Sequence, residues 1–174
     1  MFPKLHHCYF FTATINSWKP LLKNDQRKEI ILNSIKYMAN NNRASIHAFV
    51  IMPNHVHVVL TLHERETTKD FQRDFLKFTS QQLIKLLIHE NSEEELHQFT
   101  STQKDRIYHI WERRAKWIAI EHLPILEQKI DYIHQNPMQE KWKLAELSED
   151  YFWSSASYYV LNSNHHSFIS HYLD

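Results

Sequence analysis

His55 and His57 stand one residue apart in His55-Val-His-Val-Val-Leu-Thr-Leu62. In an extended strand alternate side chains share a face, so the two imidazoles point the same way, roughly 6.6 Å apart along the chain. Two imidazoles at that span can converge on one divalent cation. Val56, Val58, Leu60 and Leu62 take the opposite face, which is wholly apolar. With fourteen histidines in the chain, a pair of surface histidines without a metal is the competing reading. A second group lies between Leu126 and Pro137. At about 100° per helical residue, Leu126, Ile130 and Ile133 form an apolar face, and Lys129, Tyr132 and Asn136 a second face a quarter turn away. Tyr132 and Asn136 are i, i+4 neighbours, and an amide oxygen there would add a third, hard ligand to two imidazoles. The competing reading is a half-buried tyrosine and an asparagine that ends the helix. His134 points away on the same wheel.

The elements that must position these residues follow from periodicity. His7 to Ile15, aromatic and β-branched, reads as a strand. Asp25 to Asn42, with Ile31, Ile35 and Met38 at helical spacing and Asn24 or Asp25 as cap, reads as an amphipathic helix. Ile46–Met52 and His55–Leu62 form a hairpin turned at Met52-Pro53-Asn54. Thr67 to His89 is the longest helix, placing Phe71, Phe75, Phe78 and Leu86 near one face. Glu90 to Asp105, with Glu93-Glu94-Glu95, reads as an acidic loop. Arg106 to Ile120 reads as a strand pair or one bent strand. Pro124 opens a helix that Pro137 ends at Asn136. The order strand, helix, strand, strand, helix, strand, helix predicts an α+β protein, a ferredoxin-like antiparallel sheet with helices packed on it. In it the His-Val-His strand is central and Tyr132 lies on a C-terminal helix.

The chain has 174 residues, which suits one domain spanning residues 1 to 174, with a C-terminal extension from about residue 138. It contains no glycine, where average usage gives about a dozen, so Gly-built phosphate loops, dinucleotide fingerprints and nucleophile elbows are excluded. Lys plus Arg equals Asp plus Glu at 20 each. Residues 1–60 carry seven basic against two acidic residues (+5), and residues 61–174 thirteen against eighteen (−5). Cys8 is the one cysteine, so an internal disulfide and a Cys-rich zinc site are excluded, and its apolar run predicts a buried thiol. No run is long and apolar enough for a membrane span, and the start lacks the pattern of a leader. A cytoplasmic protein without membrane contact is expected.

Phe49-Val-Ile-Met-Pro-Asn-His-Val-His-Val-Val-Leu60, followed by Asp131-Tyr-Ile-His-Gln-Asn-Pro137, resembles the single-tyrosine HUH transposases, those of insertion-sequence-200 type and especially the REP-associated tyrosine transposases. Ile110-Trp-Glu-Arg-Arg114 and Phe152-Trp-Ser-Ser-Ala156 extend the resemblance over roughly residues 5 to 160. It implies a ferredoxin-like fold, His55 and His57 as a metal pair, Asn136 as third ligand and Tyr132 as nucleophile. The cation would be Mg²⁺ or Mn²⁺, with zinc weaker on such ligands. The activity implied is nicking and joining of single-stranded or hairpin DNA through a 5′-phosphotyrosine, in transposition or in mobilising repeat hairpins. Where the family continues Asn-Pro-Val-Arg-Ala-Gly, this chain has Asn136-Pro-Met-Gln-Glu-Lys-Trp142, so contacts after the helix are its own.

A tyrosine hydroxyl is protonated at neutral pH, so it needs activation by the metal or by a cation such as Lys129, one turn earlier. Lys129 could instead hold a phosphate or be a solvated helix lysine. DNA contacts are expected from Lys69, Arg73 and Lys77 on the long helix and from Arg113, Arg114 and Lys116. An ordinary charged surface competes, since Asp70 and Asp74 flank the first group. Trp111, Trp117 and Trp153 would either stack on unpaired bases or fill the core. Two other functions compete: a host-adopted nucleic-acid binder that no longer cuts, and a metallo-phosphoesterase with water as nucleophile. A homodimer with the tyrosine helix acting in trans and a monomer acting in cis both stay open.

Overall fold

The computed structural model describes residues 5–104 and 106–174. The first four residues, on which the reading of the start depends, and Asp105 lie outside the described residues.

Four strands, β1 (Cys8–Thr14), β2 (Ala44–Ile51), β3 (His55–Leu62) and β4 (Lys116–Ala119), form one antiparallel sheet in the order β2-β3-β1-β4. Two long helices, α1 (Asp25–Asn40) and α2 (Thr68–His89), make the β1-α1-β2 and β3-α2-β4 crossovers. This is the predicted ferredoxin-like α+β arrangement, with β3 in the interior of the sheet. Asn24 caps α1 by accepting the Gln26 amide at 2.8 Å, and Thr67 caps α2 through the Asp70 amide at 3.1 Å. The hairpin turn closes with Met52 N–H on the His55 carbonyl at 2.8 Å.

The period-2 pattern of β3 divides the interior in two. Val56, Val58, Leu60 and Leu62 face α1 and α2, together with Phe11, Ile31, Ile35, Phe71 and Phe75. Val59 faces the other way, with Phe10, Ala48 and Val50, and there meets Leu126, Ile130 and Ile133 of α4 (Leu123–Gln135). A 13-residue helix is marginal alone in water. Burying three aliphatic side chains, each worth about 1.5–3 kcal/mol, docks it on the face that carries the histidines.

Several elements differ from the sequence reading. Of residues 106–120 only Lys116–Ala119 is strand. The rest is irregular, held by single bridges Thr100↔Tyr108 and Ile15↔Trp111 and by Trp111 Nε1 donating to Thr79 Oγ1 at 3.0 Å. The acidic loop contains a short helix, α3 (Glu93–His97), with Leu96 and Phe99 buried beneath it. On α2 the buried line is Phe71, Phe75, Thr79, Leu83 and Leu87, a strict i+4 row, and Phe78 is exposed. Asn136 keeps helical angles (φ −55°, ψ −45°) and the chain continues as a 3₁₀ turn through Met138. The bias against helix before proline is overridden at this position, where Asn136 and Pro137 are both buried. Cys8 is buried as expected, and burial pushes its thiol pKa up, against hydrogen bonds from Thr61 and Tyr9.

Without glycine, left-handed turns fall to other residues. Asn42, Asn91 and Asn162 have positive φ, as asparagine tolerates. Ser17 (φ 57°) and Trp18 (φ 56°) do so consecutively, at a cost of about 1–2 kcal/mol per residue. Among the described residues no helix is long and apolar enough to cross a membrane.

Candidate active site

The strand register assembles a cleft of about 280 Å³ on the α4 face of the sheet. Thr14 pairs with His55 and Thr12 with His57, while Lys116 pairs with Thr12 and Ile118 with Phe10. These residues form the floor. Lys129 and Tyr132 of α4 and Asn136 at its C-terminal end overhang it, and Trp18 and Lys141 complete its rim. The two motifs, some seventy residues apart in sequence, therefore share one cleft.

The imidazoles of His55 and His57 lie 4.7 Å apart between ring centroids. Tyr132 stands edge-on to His57 at 5.5 Å and to Phe10 at 6.1 Å, and it is half exposed. Asn136 is buried, its Nδ2 donating to the Tyr132 carbonyl at 3.5 Å. With its NH₂ on a backbone carbonyl, the amide presents its oxygen elsewhere. Both histidines have hydrogen-bonded Nδ1 atoms: His55 Nδ1 lies 2.7 Å from Asn54 Oδ1, and His57 Nδ1 lies 2.8 Å from Thr12 Oγ1. The Asn54 oxygen can only accept, so His55 carries its proton on Nδ1 and keeps the Nε2 lone pair. Thr12 can hold His57 in the same tautomer.

Burial, aided by Lys141, pushes the His55 pKa down to about 4. Burial, then His55, Lys129 and Lys116, pushes that of His57 down to about 3. Both rings are therefore neutral at pH 7, the state in which imidazole binds a metal. Among the described residues no three His, Cys, Asp or Glu side chains gather to hold a cation. A third donor beside the pair would be of another type, and the Asn136 amide lines the same cleft. Two neutral imidazoles and one amide oxygen suit a divalent cation with coordination positions left open.

The other expected residues separate. Lys116 and Lys129 line the cleft, Lys129 with its Nζ 5.0 Å from the Phe10 ring centroid. Lys69, Arg73 and Lys77 lie on α2, across the sheet from α4, and Arg73 is tied to Asp70 at 2.6 Å and Asp74 at 2.8 Å. Arg73, Lys77 and Arg113 line a separate groove beside α2, and Arg114 is exposed just ahead of β4. The three tryptophans weighed for stacking are engaged in packing. Trp111 is core, Trp117 sits 4.6 Å from Phe11 with its Nε1 on Gln72, and Trp153 donates to Asp25. His134 turns away from the cleft as predicted, but it is buried there, its Nε2 2.8 Å from Ser155 Oγ, and burial lowers its pKa to about 4.

Sequence reasoning missed Trp18, Lys141 and Thr12. Thr12 was readable, since alternation places it between Phe10 and Thr14 on one face of β1. Trp18 and Lys141 arrive on irregular chain, where no period reports direction.

The class of fold and its particular likeness both come from solved structures. No protein-family profile matches the sequence, and neither does any curated protein. The fold is that of a REP-associated tyrosine transposase solved bound to a REP hairpin, with a TM-score of 0.61 and 21% identity over 90% of this chain and 79% of that one. A candidate transposase from Deinococcus radiodurans R1 matches more loosely, with a TM-score of 0.48 and 17% identity over 76% of this chain and 90% of that one.

Proposed function

We propose that the chain is a single-tyrosine HUH transposase-like enzyme that nicks and rejoins single-stranded DNA, acting in transposition or in mobilising repeat hairpins. The observation that carries this reading is the meeting of His55, His57, Tyr132 and Asn136 in one cleft lined by three lysines. The shared fold with a transposase solved on a DNA hairpin supports it.

His55, His57 and Asn136 would hold Mg²⁺ or Mn²⁺, which when bound supplies positive charge to polarise a phosphate oxygen. Lys116, Lys129 and Lys141 hold the DNA backbone by charge. The half-exposed Tyr132 oxygen attacks phosphorus in line, and the bond to the 3′-oxygen breaks. The tyrosine proton passes to solvent, and the departing oxygen takes up a proton as a free 3′-hydroxyl. The 5′-phosphate stays on Tyr132 until a 3′-hydroxyl from another end reverses the exchange. Each step swaps one phosphodiester for another, so no nucleotide triphosphate is consumed.

The test is incubation of wild type and Tyr132→Phe with Mn²⁺ and hairpin DNAs carrying single-stranded flanks, followed by a denaturing gel. A covalent protein–DNA adduct that needs both Tyr132 and the cation is expected. Binding without any adduct would assign the chain to the non-cutting binders, and cleavage without an adduct would make water the nucleophile.

A further inference from the structure

Trp18 is the most exposed of the large aromatic side chains described, at 61%, and it stands at the rim of the cleft with its ring 6.2 Å from that of His55. The fold holds it there firmly. Ser17 and Trp18 both sit in the left-handed region, and hydrogen bonds fix this turn at four points. Trp18 N–H donates to the Ile15 carbonyl at 2.9 Å, and Ile15 N–H to the Asn54 carbonyl at 2.8 Å. Asn54 Nδ2 donates to the Trp18 carbonyl at 3.1 Å, and Ser17 N–H to Glu112 Oε1 at 2.7 Å. A constrained backbone that presents a large apolar ring to solvent brings the fold no burial. Trp111, Trp117, Trp142 and Trp153 are all at least half-buried.

The chemistry around the ring points to its ligand. Lys116, Lys129 and Lys141 line the same cleft, and among the described residues no carboxylate does. A cleft that offers positive charge and a flat π face side by side fits a group that is anionic and flat at once, which is a nucleotide. We propose that Trp18 is a stacking platform for an unpaired nucleobase, the base adjoining the phosphate held at the histidine pair. Asn54 ties the two halves of this site together, since one amide grips the Trp18 carbonyl and the His55 Nδ1. The platform reads base faces rather than edges, so it favours unpaired over paired DNA without selecting a sequence. This inference rests on the reading of the chain as acting on single-stranded DNA.

The experiment measures binding, without metal, of a thymidylate oligomer of about eight nucleotides and of an abasic oligomer of equal length. The proteins are wild type, Trp18→Phe and Trp18→Leu. Leucine keeps apolar bulk without a π face, and phenylalanine keeps a face. Trp18→Leu is expected to weaken thymidylate binding about tenfold and to leave the abasic oligomer unchanged, while Trp18→Phe stays near wild type. An equal loss on both oligomers, no loss on either, or a Phe variant as weak as Leu would overturn the platform. Wild type binding neither oligomer would remove the DNA reading and the platform together. Base-dependent binding that needs the ring, with no adduct in the denaturing-gel test, would keep the platform and remove the cutting.

Discussion

Asn54 is a turn residue by sequence and a support residue by structure. Its carboxamide oxygen fixes the His55 tautomer and its NH₂ holds the Trp18 carbonyl. Outer-shell partners of ligating histidines typically carry a 10–100-fold effect on metal affinity. Asn54→Ala is expected to weaken Mn²⁺ binding by about that factor, read by titration calorimetry at pH 7. Unchanged affinity would mean that strand geometry alone aims His55. At this scale the sequence was legible wherever a period ran. Alternation on β3 put His55 and His57 on one face, and the helical wheel put Tyr132 beside Asn136. It was illegible where side chains arrive on irregular backbone. Trp18 is the second of two consecutive left-handed residues, and Lys141 follows a 3₁₀ turn, so neither direction could be read from spacing.

Among elements, the acidic segment shows how a charge run can be structural. Arg27 of α1 is buried and meets Glu90 at 2.8 Å and Glu95 at 2.7 Å, so α3 is tied to α1 from across the chain. The two glutamates keep some exposure, at 20% and 31% of their side chains, whereas Arg27 keeps 6%. Removing one side is therefore not equivalent to removing the other. Glu90→Gln with Glu95→Gln leaves a buried guanidinium without a counter-charge, which costs about 3–5 kcal/mol for fully buried pairs. Arg27→Met leaves two glutamates that water can reach, and it should cost clearly less. Urea unfolding of both variants checks the order, and the reverse order would show that the glutamates are the more strongly desolvated partners. The reading of residues 90–105 as loop failed because Leu96 and Phe99 are too few to make a period, yet enough to anchor a five-residue helix. Residues 106–115 failed differently. Their Trp and Ile content resembles a strand, but Trp111 is spent on Thr79 and the interior rather than on a ladder.

Across the whole molecule, the C-terminal segment covers the outer edge of β2, which would otherwise offer unpaired backbone to another chain. Ser170 N–H donates to the Ile46 carbonyl at 2.9 Å and Ile51 N–H to the Trp153 carbonyl at 2.8 Å. Two buried histidines hold this cover. His47 Nδ1 donates to the Ser170 carbonyl at 3.1 Å while its Nε2 accepts from Thr61 at 2.9 Å, and His166 Nε2 donates to the Phe152 carbonyl at 2.9 Å. Burial is the main cause that lowers both pKa values below the ordinary histidine range, outweighing the carbonyls that favour the cation. The sign of the pH effect follows from linkage. Above about pH 6.5 both rings are neutral whether the chain is folded or not, and their contribution is fully present. As pH falls below that value the unfolded chain takes up protons that the folded chain refuses, so stability declines toward the lowered folded values. Urea midpoints should therefore drop between pH 7.5 and 5.5. Replacing His47 by Gln, which keeps a donor and an acceptor but does not titrate, should make that drop shallower by the share of His47 while lowering stability at pH 7.5, and the remainder belongs to His166 and to the buried His55, His57 and His134. Hydrogen exchange should show β2 amides losing protection first on acidification. An equally steep drop in the Gln variant would show that His47 contributes nothing to it.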